Sequence, residues 1–166
     1  MKTLIVVDMQ HDFIDGALGT KEALAILEPV RAKIKEYLDR GDQVIFTRDT
    51  HTEDYMQTHE GKLLPVKHCV RDTWGWQIPG EIDVADCIHV DKPGFGFTGW
   101  DKFDFQELEL IGLCTDICVI SNALLLRAFF PEIEISVDAS CCAGVTPETH
   151  RAALATMRCC QINVVE

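Results

Sequence analysis

Apolar residues in this chain fall into short unbroken runs, separated by stretches with a helical repeat. Six runs read as strands: Thr3–Val7, Gln43–Thr47, Cys87–Val90, Leu108–Leu113, Ile133–Val137 and Ile162–Val165. Most are bounded by Gly or Asp and do not alternate strictly, which is the pattern of strands covered on both faces. Between Lys21 and Arg40, the positions Leu24, Leu27, Val30, Ile34, Tyr37 and Leu38 form one apolar stripe, and Gly41 stops the helix. From Ile117 to Phe130 the chain is almost wholly apolar, which predicts a deeply buried helix ended by Pro131. Thr146 as N-cap and Pro147 at the first helical position start a third helix that runs through Met157. Strands alternating with helices predict parallel βαβ units, hence an α/β fold, and the absence of any linker predicts a single domain over residues 1–166.

Thr50 to Glu81 does not fit that alternation. It is too long and irregular for an ordinary connection, and such loops in compact domains tend to be functional or disordered. The presence of three histidines and two tryptophans favours function.

Composition narrows the classes. With 47% apolar and 25% charged residues among 166, the chain has enough material for one soluble core. No apolar run is long enough to span a bilayer and no signal peptide is legible, so the expected location is the cytoplasm. A formal net charge of −12 argues against nucleic acid or an anionic membrane as partner. Eight cysteines without a CxxC pair exclude a zinc ribbon. Cys87, Cys141, Cys142, Cys159 and Cys160 read as small buried hydrophobes.

Three residues stand apart by position. Asp8 follows the first strand, Lys92 the third and Cys118 the fourth. In a parallel sheet the C-terminal ends of strands share one edge, so a carboxylate, an ammonium and a thiol would meet there. Cys118 follows Gly112-Leu113-Cys114-Thr115-Asp116-Ile117, where a strand turns into a helix capped by Thr115 or Asp116. A cysteine in a first helical turn is favoured as thiolate, and the free amides can hold an oxyanion. Taken singly, Cys118 also reads as a buried apolar cysteine, Asp8 as a cap and Lys92 as a solvated loop charge. Together they suit acyl transfer, with Asp8 as acid and base and Lys92 as its charge partner. Asp49 and His51 in FTRDTH could reach one ion from an extended segment, or form a surface turn.

The segments VVDMQHDF, DKPGFGFTG and GLCTDICV occur in this order along nearly the whole chain. They resemble the isochorismatase-like cysteine hydrolases, and within them the nicotinamidases. The resemblance implies a three-layer α/β/α fold with a mostly parallel six-stranded sheet, and a homo-oligomer. It implies an Asp8–Lys92–Cys118 triad, a cis peptide before Cys114, and an oxyanion hole from the Cys114 and Cys118 amides. It also implies a divalent metal held by Asp49, His51 and His68, with Glu60 as fourth ligand by its spacing and the adjacent His59 as alternative. A mixed N/O set suits zinc first, or iron or manganese. Phe13 and Phe97 are the expected substrate-binding aromatics. The implied activity is hydrolysis of nicotinamide to nicotinate and ammonia through a thioester. Alternatives are a family amidase acting on another small amide or carbamoyl substrate and, in a different class, a non-catalytic metal-binding protein or a thiol redox protein using Cys114 and Cys118.

Overall fold

A computed structural model describes residues 1–166. Six strands form one sheet: β1 (Thr3–Val7), β2 (Gln43–Asp49), β3 (Ile88–Lys92), β4 (Glu107–Leu113), β5 (Glu134–Ala143) and β6 (Asn163–Val165). Their spatial order is β3-β2-β1-β4-β5-β6 and every pairing is parallel. The central strand β1 is buried along its whole length. It turns Leu4 and Val6 to one apolar cluster, Ile5 and Val7 to the other. That two-sided burial is why its sequence is a continuous apolar run.

On the first face lie α1 (His11–Ile14), α2 (Lys21–Ala25) and α3 (Leu27–Asp39). Ala23, Ile26, Val30, Ile34 and Tyr37 supply their share of that core. The single helix expected over 21–40 is two helices that meet at Ile26. Pro29 is the reason: it lacks an N–H to donate, so it is tolerated in the first turn of α3 but not in the interior of a longer helix. Gly41, with φ of 73°, ends α3 as expected. On the second face lie α5 (Ile120–Phe129) and α6 (Pro147–Cys159), which bury Ala123, Leu126, Leu154 and Met157. Thr146 caps α6 by accepting from the Thr149 N–H at 3.1 Å. α5 is less buried than its composition suggests: Leu124 and Phe129 point outward. Cys141 and Cys142 are buried as expected, whereas Cys159 is exposed. No helix is long and apolar enough to cross a membrane.

One polar cluster lies within this frame. Glu109 of β4 and Asp138 of β5 are buried and share Lys33 of α3, at 3.2 and 2.8 Å. Tyr37 donates its hydroxyl to Glu109. The Lys33 ammonium and Ser140 hold the Asp138 carboxyl below the usual carboxylate range against the opposing effect of burial.

The long irregular segment is pinned to the sheet edge. It contains α4 (His59–Leu63), and the His51 N–H donates to Cys69 O while Arg71 N–H donates to His51 O, both at 2.9 Å.

At the end of β4, Gly112 has φ of 112°, and a Cβ there would stand 2.2 Å from the Val7 carbonyl oxygen. Only glycine fits between β1 and the turn that follows. Gly112→Ala is expected to lower stability by about 3 kcal/mol or more, read as a fall in the urea midpoint; a loss under about 1 kcal/mol would contradict this packing.

Candidate active site

The sheet order places β2 between β1 and β3, with β4 on the far side of β1. The C-terminal ends of β1, β3 and β4 therefore converge, and Asp8, Lys92 and Cys118 meet there. Asp8 and Lys92 are fully buried and Cys118 nearly so. The Lys92 Nζ stands 2.6 Å from Asp8 Oδ2, 3.0 Å from the Gly94 carbonyl oxygen and 3.5 Å from Cys118 Sγ. Asp8 leaves β1 in the left-handed region, φ 47°, which aspartate tolerates better than most residues. Thr47 of β2 secures it: the Thr47 hydroxyl donates to Asp8 Oδ1 at 2.6 Å.

Cys118 sits in a single π-helical turn, Thr115–Val119, before α5, and the Leu113–Cys114 peptide bond is cis. Neither Thr115 nor Asp116 caps this turn. Asp116 instead accepts the Val145 N–H at 3.1 Å, and the Thr115 hydroxyl pairs with His150 Nδ1 at 2.7 Å. Both bonds tie the cysteine turn to the start of α6.

Burial dominates the proton affinities. It pushes the Cys118 thiol well above its ordinary range, with the Asp8 carboxylate adding to the effect and Lys92 opposing it. Burial therefore opposes the thiolate that a first-turn position favours. Burial likewise raises Asp8, against the pull of Lys92. Burial works to lower Lys92, but Asp8, Cys118 and Asp49 outweigh it and hold the ammonium protonated. Burial thus raises the proton affinity of both Cys118 and Asp8, while Lys92 is held as an ammonium.

Beside this trio, Asp49, His51, Glu60 and His68 bring one donor atom each to within 4.8 Å of one another. Asp49 Oδ2 lies 2.9 Å from His51 Nε2 and 3.5 Å from His68 Nε2. Glu60 Oε1 lies 3.6 and 3.7 Å from the same two nitrogens. These are the separations of neighbouring ligands around an ion with bonds of about 2 Å. His68 Nδ1 stands 2.7 Å from the Val66 carbonyl oxygen, which accepts its proton and leaves Nε2 free to coordinate. Asp49 Oδ1 is buried without a hydrogen-bond partner. The donor set thus fits a divalent cation. His59, which precedes Glu60 in α4, is exposed and outside the cluster.

A cavity of about 230 Å³ opens onto both groups, with Cys114 and Cys118 on one wall and Asp49, Glu60 and His68 on another. Phe13 lines it, tilted against the His68 ring at 5.5 Å. Phe97 does not. Its N–H donates to Asn122 and its ring packs edge-on against Trp100 at 4.9 Å, inside the second core. Phe95, two residues earlier, takes the place on the cavity wall. Neither Trp74 nor Trp76 lines the cavity: Trp74 stacks on His11, and Trp76 donates to Thr50 beneath the Arg48 guanidinium.

Several supporting residues were not singled out from the sequence. Gln10 is fully buried and donates to the carbonyls of Asp49 and Trp76 at 2.8 Å, while its Oε1 accepts the Asp49 N–H at 2.7 Å. It ties the end of β2 to the segment behind it. Tyr55, also fully buried, packs against both histidines at 4.7 and 4.9 Å. Gln10 lies in VVDMQHDF, where a buried glutamine beside a strand end is a legible signal; Tyr55 lies in irregular chain and offered none.

Lys92→Met would leave Asp8 buried without its cation and is expected to cost about 3–5 kcal/mol. Asp8→Asn combined with Lys92→Met should recover part of that loss, because the unpaired charge is gone. Urea unfolding of the two variants reads the difference, and a double variant no more stable than the single one would contradict the pairing.

The Isochorismatase domain model matches residues 2–166. The chain is 29% identical to an uncharacterized isochorismatase family protein PncA of Bacillus subtilis (strain 168), over 92% of each chain. It is 26% identical to the nicotinamidase/pyrazinamidase of Mycobacterium tuberculosis, over 99% of this chain and 98% of that one. Among solved structures, the pyrazinamidase of Pyrococcus horikoshii in complex with zinc superposes with a TM-score of 0.87 at 27% identity, covering 99% of this chain and 98% of that one.

Proposed function

The chain belongs to the isochorismatase family, and we propose that within it the protein is a metal-dependent cysteine amidohydrolase that converts nicotinamide to nicotinate and ammonia. The observation that carries this reading is the meeting of Asp8, Lys92 and Cys118 on a buried ion pair, beside a cavity lined by Cys118 and by three of the four metal-donor side chains, Asp49, Glu60 and His68. The likeness to a nicotinamidase/pyrazinamidase and to a zinc-complexed pyrazinamidase supports the substrate and the metal.

Asp49, His51, Glu60 and His68 would hold the ion, with zinc the first candidate for an N/O set of this kind. When bound, it supplies a fixed positive charge that can take a ring nitrogen and so orient the carboxamide. Phe13 and Phe95 flank the ring. The Cys118 thiol gives its proton to Asp8 as Sγ bonds to the carboxamide carbon. The Cys114 and Cys118 amides face the developing oxyanion. As the C–N bond breaks, Asp8 returns the proton to the departing amine, which leaves as ammonia. Asp8 then takes a proton from water, whose oxygen attacks the thioester; the C–S bond breaks, the proton passes from Asp8 to Sγ, and nicotinic acid leaves and ionises to nicotinate in solvent. Lys92 keeps Asp8 ionised between steps and stabilises sulfur while it carries charge.

The raised proton affinity of Asp8 suits this double duty, and the sign of its pH dependence follows. Below its pKa, Asp8 is protonated and cannot take the thiol proton. The acid limb of kcat/KM should therefore lie above the usual aspartate range of about 4, and a limb at or below that value would remove Asp8 from the role. Ammonia release from zinc-loaded protein with nicotinamide tests the reaction directly. It should fall by about 10³-fold or more in Cys118→Ala, and should vanish on chelation and return with zinc. Release that survives in Cys118→Ala, or none from the loaded protein, would refute the assignment.

A further inference from the structure

The catalytic cavity has a neighbour. An open groove of about 650 Å³ runs along α4 and the Pro93–Phe95 turn. It shares Glu60, Leu64, Phe95 and Ile117 with the cavity, so these side chains form a partition between two parts of one continuous depression. The groove also presents three large apolar side chains to water: Leu63 at 75%, Phe95 at 48% and Leu64 at 39% exposure. Exposed apolar side chains gathered beside a cavity are the mark of a binding groove rather than of a surface left to solvent. The cavity alone is smaller than the usual range for a small-molecule site, about 300–1,000 Å³, and the groove extends it into that range.

We propose that the groove is a second substrate subsite, and that the preferred substrates are heteroaromatic carboxamides carrying an apolar substituent, of about one further ring in size, on the side remote from the carboxamide. This rests on the amidohydrolase reading above. With the carboxamide at Cys118 and the ring between Phe13 and Phe95, the cavity adjoins the groove at the shared Glu60, Leu64, Phe95 and Ile117. A substituent leaving the ring in that direction crosses the partition and lies against Leu63, Leu64 and Phe95. The groove also carries polar side chains, Thr58 and His59 beside the donor residues His51 and Glu60, and tolerates a hydrogen-bonding tip. Continuity with the catalytic cavity sets the occupant: whatever fills the groove is joined to what fills the cavity.

The test compares nicotinamide with 5-phenyl- and 5-(3-hydroxyphenyl)-nicotinamide, in the zinc-loaded chain and in Leu63→Asp. Hydrolysis is followed in the intact enzyme, and binding by calorimetry in Cys118→Ala, where no turnover is expected. One of the phenyl amides should have kcat/KM about tenfold above nicotinamide and bind more tightly in the same proportion. In Leu63→Asp the ratio between that amide and nicotinamide should fall back by about the same factor. Equal melting temperatures for Leu63→Asp and the parent keep a loss of fold out of the comparison. If nicotinamide is hydrolysed but neither phenyl amide binds or reacts better, or if Leu63→Asp leaves the ratio unchanged, the subsite is refuted and the amidohydrolase reading stands. If no amide is hydrolysed while a phenyl amide still binds more tightly and loses that advantage in Leu63→Asp, the groove is supported and the reaction is refuted.

Discussion

A buried ion pair organises this protein. Asp8 and Lys92 lose all contact with water, yet their charged atoms stand 2.6 Å apart. Removing two charges from water costs several kcal/mol each, and their attraction offsets this only with good geometry and partners for the remaining atoms. The structure supplies those partners: Thr47 to Asp8, and the Gly94 carbonyl to Lys92. Because β2 lies between β1 and β3, the pair bridges two strands that are not themselves neighbours. It therefore holds the sheet edge in register at the place where the chemistry is proposed.

The same edge carries a second group of charges, and the two are coupled. Asp49 ends β2 with one oxygen toward His51 and His68 and the other 3.8 Å from Lys92. Burial would raise its proton affinity, but the two facing histidines and the charge of Lys92 keep it ionised. Asp49 in turn adds to the raised affinity of Asp8. The donor group and the cysteine trio thus share one field. Gln10 fixes Asp49 through both its backbone N–H and its carbonyl, so the aspartate that joins the two groups is held at its main chain as well.

Much of this was legible along the chain. The strands of a two-sided sheet announced themselves as unbroken apolar runs, and Thr146-Pro147 marked its helix start because capping is a local matter. Asp8, Lys92 and Cys118 could be brought together by one rule, that parallel strands end at a common edge. The failures have local causes too. Pro29 split a helix whose apolar stripe ran on past it. Phe95 and Phe97 are two residues apart in a glycine-rich stretch, where no period tells which ring faces the cavity and which the core. Apolar content overstated the burial of α5, because composition carries no direction. The 50–81 segment has almost no regular pattern, so Tyr55 behind the two histidines had no signal.

Sequence by itself therefore determined the fold class, the order of the elements and which side chains stand at strand ends, since these follow from local periodicity and from the rules of parallel sheets. Tertiary structure decided what depends on distance and dielectric. It selected Glu60 over His59 by turning one side of a short helix toward the histidines. It raised the proton affinity of the Cys118 thiol, because the side chain is buried beside the Asp8 carboxylate. And it joined an open groove to the cavity through Leu64 and Phe95, which lie far apart in the chain and meet only when α4 and the Pro93–Phe95 turn pack side by side.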